Sequence, residues 1–217
     1  MRFTGTYDQD QLLDESLPIT WRHINKLAGC GALGDLGSHL LSISQFIMGD
    51  ITKVNAVATT VFPKRPKSAG STEMVDVENE DIMTFMAEYA NGAIGQIACS
   101  RVATGRKNYL TYEIQGTKGS VRYDLERMGE VQVYFQSDNE RDRGFRTVLL
   151  NPLMKGYSAF QPAGGISIAY NDMKILEVHA LFDAITNGAD YVTDFEFGYK
   201  IDRTVAAVIE SSKTHEW

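Results

Sequence analysis

Three turn signals constrain this chain more than any other feature: Asn91-Gly92, Gly116-Thr117-Lys118-Gly119 and the charged run 138–143. Each sits between two stretches rich in β-branched and aromatic residues, at 81–89 and 93–101, 109–115 and 120–125, and 131–136 and 145–150. Asn-Gly supplies the positive φ angles that a two-residue hairpin loop requires, and successive hairpins build a mostly antiparallel sheet. Residues 2–7 and 51–62 add further strand character. Along 81–89, Met83, Phe85, Ala87 and Tyr89 point one way while Ile82, Thr84 and Met86 point the other. One face can therefore take a layer of helices, and the other is apolar enough to want a partner.

The helices declare themselves by spacing. Leu36, Leu40, Ile43 and Ile47 recur at helical intervals within 35–48, which ends at Gly49-Asp50. A second pattern over 173–186 runs through Ile175, Val178, Phe182 and Ile185 and stops at Asn187-Gly188. A third follows a capping pair, Thr193 with Glu196, and carries Ile201, Val205, Val208 and Ile209. Residues 63–80, with proline, glycine, serine and charge, read as a loop. The order helix, many strands, two helices predicts an α+β fold: a mostly antiparallel open sheet with helices on one face and the other face available for oligomerisation. With 217 residues and no repeat or low-complexity tract, the expectation is one domain over 1–217.

The run from Gly29 to His39 carries the chemistry. Gly29, Gly31 and Gly34 satisfy G-x-G-x-x-G, yet that fingerprint needs an apolar strand before it and an acid about 20 residues on. Residues 21–28 are polar, and Lys53-Val54-Asn55 stand near the acid's place, so a dinucleotide cradle is not expected here. The glycines open instead onto a helix bearing Asp35 and His39, which share a face at four-residue spacing. A carboxylate beside an imidazole whose ordinary pKa is about 6.5 makes half of a proton-transfer site.

Composition excludes several classes. Asp plus Glu outnumber Lys plus Arg by 28 to 21, the charges are dispersed, and no basic stripe suggests nucleic acid. No apolar stretch is long enough for a bilayer, residues 1–4 begin no signal peptide, and Cys30 and Cys99 lack C-x-x-C spacing, so a soluble cytoplasmic protein with reduced thiols is expected. Asp35 and His39 with a distant carboxylate such as Glu177 fall short of a metal coordination set. His179, on the Ile175/Phe182 side of its helix, reads as core or interface, and His23 and His215 have no evident partner.

Gly5-Thr6-Tyr7-Asp8-Gln9-Asp10, Trp21-Arg22, the Gly29 to His39 run, the hairpin at 116–119 and Asp194-Phe195 together resemble the C-terminal domain of the Gfo/Idh/MocA family, the glucose-fructose oxidoreductase and inositol dehydrogenase group. The resemblance implies the substrate-binding half of an NAD(P)-dependent oxidoreductase acting on a sugar, inositol or related polyol. It assigns His39 as base or proton relay and Asp35 as the carboxylate that orients substrate or imidazole, with Tyr7, Gln9, Trp21 and Arg22 lining the sugar pocket. Ser42 stands where many relatives carry an acid. Family members place an N-terminal Rossmann domain, with a Glu-Lys-Pro segment whose lysine assists catalysis, before this point, and neither is found in this sequence. The expectation is a folded chain without its nucleotide-binding half, inactive alone, with NAD or NADP held in the full-length enzyme and none bound here. The resemblance also implies homo-oligomers through the sheet face, an association common in the group. Two other readings stay open: a stand-alone oligomerising carbohydrate-binding or interaction module without catalysis, and a self-contained nucleotide site at Gly29 to Gly34.

Overall fold

The computed structural model describes residues 1–154 and 156–217. Each of the three turn signals closes a hairpin. In chain order the strands are β1 (Arg2–Asp8), β2 (Ile51–Thr59), β3 (Lys64–Pro66), β4 (Met74–Asp76), β5 (Ile82–Tyr89), β6 (Ile94–Ser100), β7 (Tyr109–Gln115), β8 (Gly119–Asp124), β9 (Glu130–Phe135) and β10 (Arg146–Leu149). Asn91-Gly92 turns β5 into β6, with Gly92 at φ 79°. The segment before Gly119 turns β7 into β8, and the charged tip, coiled into a single 3₁₀ turn at Glu140–Asp142, turns β9 into β10. Eight strands form one sheet in the order β10-β9-β8-β7-β1-β6-β5-β2.

Strand β1 is the exception to local pairing. It inserts between β6 and β7, parallel to the first from Arg2↔Ile94 to Asp8↔Ser100 and antiparallel to the second. Because β6 and β7 are thereby separated, the connection 101–108 must cross the carboxyl end of β1. That crossing shapes the candidate site. Residues 63–80, expected as a loop, contain the β3–β4 ribbon, paired Lys64↔Asp76 and Pro66↔Met74. Three-residue strands are too short to show alternation, and the ribbon is anchored by Arg65, wholly buried and donating to the carbonyls of Leu12 and Asp14.

The helices are α1 (Asn25–Ala28), α2 (Ser38–Met48), α3 (Tyr170–Asn187) and α4 (Phe195–Thr214). Leu40, Leu41 and Met48 of α2 and Ile201 and Val208 of α4 join Phe3, Val54, Met83, Phe85, Tyr89 and Ile97 of the sheet in one buried cluster. Met83, Phe85, Ala87 and Tyr89 are all buried, as their alternation predicts. The pattern over 35–48 begins one turn earlier than α2: Leu33–Gly37 forms a wide π turn. It packs so closely that a Cβ at Gly37 would lie 2.8 Å from Leu33 Cδ1 and 3.2 Å from Cys99 Sγ. The cap of α4 is Asp194, whose carboxylate accepts from the Phe197 N–H at 2.9 Å, one residue beyond the expected Thr193.

Helix α3 forms, with no residue buried. Its stripe of Ile175, Val178, Phe182 and Ile185 is exposed, and His179 with it, so a core position for that histidine is overturned. On the open sheet face, Val57, Met86 and Ile94 are exposed, interleaved with Thr84 and Gln96. Among the described residues no helix is long and apolar enough to cross a membrane.

Candidate active site

The glycine run is filled by the protein's own carboxylate. The N–H groups of Gly31 and Leu33 donate to Glu80 at 2.9–3.0 Å, and the Ala32 N–H donates to the Glu80 carbonyl at 3.0 Å. A Cβ on residue 31 would lie 1.9 Å from that carbonyl oxygen, so only glycine fits. Amides at the start of a helical segment favour an anion, and here the anion is internal. The G-x-G-x-x-G match is thus a structural clasp between the segment before β5 and the turn that carries Asp35.

Beyond the clasp, four elements converge. The π turn supplies Asp35, the first turn of α2 supplies His39, the end of β1 supplies Tyr7 and Gln9, and a 3₁₀ turn at Trp21–His23 supplies Trp21 and Arg22. Arg22 Nε donates to Asp35 Oδ2 at 3.2 Å, and the Arg22 guanidinium lies 4.5 Å from the Trp21 ring centroid. The Tyr7 and His39 rings meet edge to face with centroids 5.7 Å apart. The six residues singled out in the sequence fall into two contact groups, Trp21 with Arg22 and Asp35, and Tyr7 with His39 and Gln9, whose Nε2 donates to Tyr7 Oη at 3.4 Å. A seventh was missed: Asn108, on the crossing connection, whose Oδ1 accepts from Tyr7 Oη at 2.7 Å and Gln9 Nε2 at 2.8 Å. Nothing local in Gly105-Arg106-Lys107-Asn108 marks it, because its place depends on the insertion of β1.

Electrostatics set the protonation states. Desolvation holds the pKa of His39 below its ordinary value, with Lys174 adding to the effect and Asp35 opposing it. Desolvation also raises Tyr7, against a lowering hydrogen bond from Gln9. At neutral pH the site therefore presents an uncharged imidazole, able to accept a proton, beside a protonated phenol. The Arg22–Asp35 pair is partly solvated, which makes it a device for orientation more than for stability. A cavity of about 320 Å³ opens beside His39, lined by Ser38, Ser42, Asp194, Phe197 and Asp202. A larger groove of about 600 Å³, between α4 and β2, contains none of the seven residues.

A buried charge pair supports the site from behind. Arg101 Nε donates to Asp81 Oδ1 at 2.8 Å with both side chains essentially inaccessible. Arg101 Nη1 and Asn79 Nδ2 both donate to the Arg22 carbonyl, at 3.3 and 2.9 Å. The other Asp81 oxygen accepts from the N–H groups of Val61 and Phe62. His23, next to Arg22, is wholly buried, its Nδ1 taking the Thr20 N–H at 3.0 Å. Desolvation, with Arg101 and Arg65 nearby, pushes its pKa down to about 4. Among the described residues its Nε2 has no hydrogen-bond partner.

Acid should therefore weaken the fold. The imidazole of His23 stays neutral in the native protein down to about pH 4, whereas the unfolded chain takes up a proton near 6.5. Stability present above the unfolded value is lost progressively as pH falls through that window. At 1.36 kcal/mol per unit the loss is of the order of 3 kcal/mol. Urea unfolding at pH 7.5 and 4.5 measures it, and His23→Asn, whose amide oxygen can take the Thr20 N–H, should flatten the dependence. An equal loss in both proteins would place the acid sensitivity elsewhere.

Neither thiol suits nucleophilic work: burial pushes Cys30 up to about 11 and Cys99 higher still. Among the described residues no group of three or more His, Cys, Asp or Glu could hold a metal ion.

Residues 1–122 match the GFO/IDH/MocA C-terminal domain. The chain belongs to that family. It is 37% identical over 230 aligned positions to levoglucosan dehydrogenase of Pseudarthrobacter phenanthrenivorans, covering 100% of this chain and 58% of that protein. A solved levoglucosan dehydrogenase in complex with NADH superposes with a TM-score of 0.95 at 37% identity, over 100% of this chain and 57% of the other. A solved NAD binding oxidoreductase from Klebsiella pneumoniae does so with 0.94 at 39%, over 100% and 58%. The chain thus spans a little over half the length of the relatives it matches. The Gfo/Idh/MocA resemblance carried by Tyr7, Trp21-Arg22 and the Gly29 to His39 run holds across the fold.

Proposed function

We propose that this chain is the substrate-binding and oligomerisation domain, over 1–217, of an NAD(P)-dependent oxidoreductase that acts on a sugar or related polyol in the cytoplasm. The observation that carries the reading is a neutral His39 in edge contact with Tyr7, alongside an Asp35 carboxylate fixed by Arg22. Relatives at 37% identity are a levoglucosan dehydrogenase and its complexes with NADH, with L-sorbose and with levoglucosan.

Oxidation of a secondary alcohol removes a hydride from carbon and a proton from the hydroxyl. A nicotinamide, when bound, supplies the hydride acceptor. The described residues do not fit that group, because the amides that would cradle a pyrophosphate are taken by Glu80. We assign its binding to the share of the relatives' length that this chain does not span. What these residues contribute is the proton and the pose. His39 accepts the hydroxyl proton, and the nearby negative charge of Asp35 stabilises the imidazolium that forms. Arg22 is aimed by Asp35 and offers its remaining N–H groups to sugar oxygens, Trp21 offers its exposed ring to the sugar's C–H surface, and Tyr7, itself buried, lines the pocket by backing the His39 ring. On the open sheet, Val57, Met86 and Ile94 form the apolar part of a face that we assign to a second copy of the chain.

The test is a titration with levoglucosan and a panel of other sugars, following the His39 imidazole resonances. Saturable shifts at His39 are expected. Sugars that leave His39 unmoved, or that perturb only the groove between α4 and β2, would contradict the reading.

A further inference from the structure

We infer that Asn108 contacts the sugar directly, its side-chain amide N–H groups donating to one substrate hydroxyl while its carbonyl holds Tyr7 and Gln9 in place; this rests on the function proposed above. The hydrogen bonds around it run in one direction. Gln11 Nε2 donates to Gln9 Oε1 at 2.6 Å, which commits that oxygen and leaves Gln9 to donate through Nε2 to Asn108 Oδ1 at 2.8 Å. Tyr7 Oη donates to the same Oδ1 at 2.7 Å. Two donors thus converge on the Asn108 carbonyl oxygen. Its Nδ2, which carries two further donors, takes part in none of the hydrogen bonds among the described residues, where Asn108 acts through Oδ1 and its backbone.

The position of that free amide is built, not incidental. Connection 101–108 is tied at both sides: the N–H groups of Lys107 and Asn108 donate to the Glu126 carboxylate at 3.2 and 2.9 Å. Lys107 Nζ meets Asp10 at 2.6 Å, and the Ala103 N–H donates to the Gln9 carbonyl at 2.9 Å. Tyr7 bridges from this anchored amide to His39, its hydroxyl on Asn108 and its ring against the imidazole. A half-buried donor pair on a pinned backbone, one side chain away from the base, is preorganised to read a hydroxyl. The same arrangement commits the Tyr7 proton to Asn108, and the phenol oxygen accepts from Gln9 Nε2 at 3.4 Å.

The experiment titrates the protein and its Asn108→Ala variant with levoglucosan and with its monodeoxy analogues, reading affinity together with the His39 imidazole and Asn108 side-chain amide resonances. In the unaltered protein levoglucosan should shift both sets of signals. The variant should bind levoglucosan about 3–10-fold more weakly, the share expected of one hydrogen bond. One monodeoxy analogue should bind both proteins equally, while the others keep the difference. Equal affinity of both proteins for levoglucosan, or a loss of the same size for every analogue, would overturn the assignment of a direct contact. In either case His39 shifts that persist leave the proposed function standing. Absence of any His39 response in the unaltered protein would overturn the function and this inference with it.

Discussion

Alanine at position 101 is expected to cost about 3–5 kcal/mol of stability, because it strands the Asp81 carboxylate in the interior without its cation. Arg101 and Asp81 have 0% and 1% of their side-chain surface accessible, so water cannot replace the lost partner. Two backbone N–H groups, from Val61 and Phe62, would remain on one oxygen of Asp81 and none of that compensation reaches the other. Most single substitutions cost 0.5–3 kcal/mol, roughly, which places this one in the severe class. The loss should also travel to the site, since the Arg22 carbonyl would keep only the Asn79 amide and lose the Arg101 guanidinium. Replacing both partners together, Arg101→Met with Asp81→Leu, should cost less than Arg101→Ala alone, as removing a whole pair leaves no uncompensated charge. Urea unfolding of the three proteins decides it. A loss below about 1 kcal/mol for Arg101→Ala would mean that the interior solvates Asp81 by other means.

What could be read from the residues depended on how far apart the interacting partners lie. Asn91-Gly92 and the segment around Gly116 define their hairpins because partner strands follow within a few residues, and the structure has them as expected. That Asp35 lies close enough for its charge to act on His39 was legible for the same reason, although the wide π turn before α2, and the bond that Arg22 makes to Asp35, were not. Strand β1 was recognisable as a strand, yet its place between β6 and β7 rests on pairings 92 residues away on one side and 101 to 113 on the other, which no local pattern encodes. Everything that follows from that insertion was hidden with it, Asn108 above all. The clasp of Gly31 by Glu80 joins residues 49 apart, so the glycine motif could be set aside from its flanks but its actual occupant could not be named. The cap of α4 moved from Thr193 to Asp194 because both residue types cap well and only the backbone decides between neighbours. The stripe on α3 has the helical period that was read, but period alone does not say what, if anything, covers it.

The second large effect concerns His39. If its imidazole takes the substrate proton, His39→Ala in a full-length protein carrying this chain and the activity proposed above should cut kcat by about 10²–10⁴-fold, the usual contribution of a general base. Stability should change little, since His39 stands outside the buried cluster that Leu40, Leu41 and Phe3 form beneath it. The pH profile should change as well. Desolvation lowers the pKa of His39, so the base form persists into mildly acidic solution and activity falls only as pH drops through that lowered value. The variant should lack this acidic limb. Measuring kcat and Tm for the two proteins side by side tests the central claim most directly. A turnover lost by at least a hundredfold with a melting temperature within a few degrees is the result predicted here. Turnover retained within a few fold while the melting temperature collapses would show that His39 serves packing, and that the proton goes elsewhere.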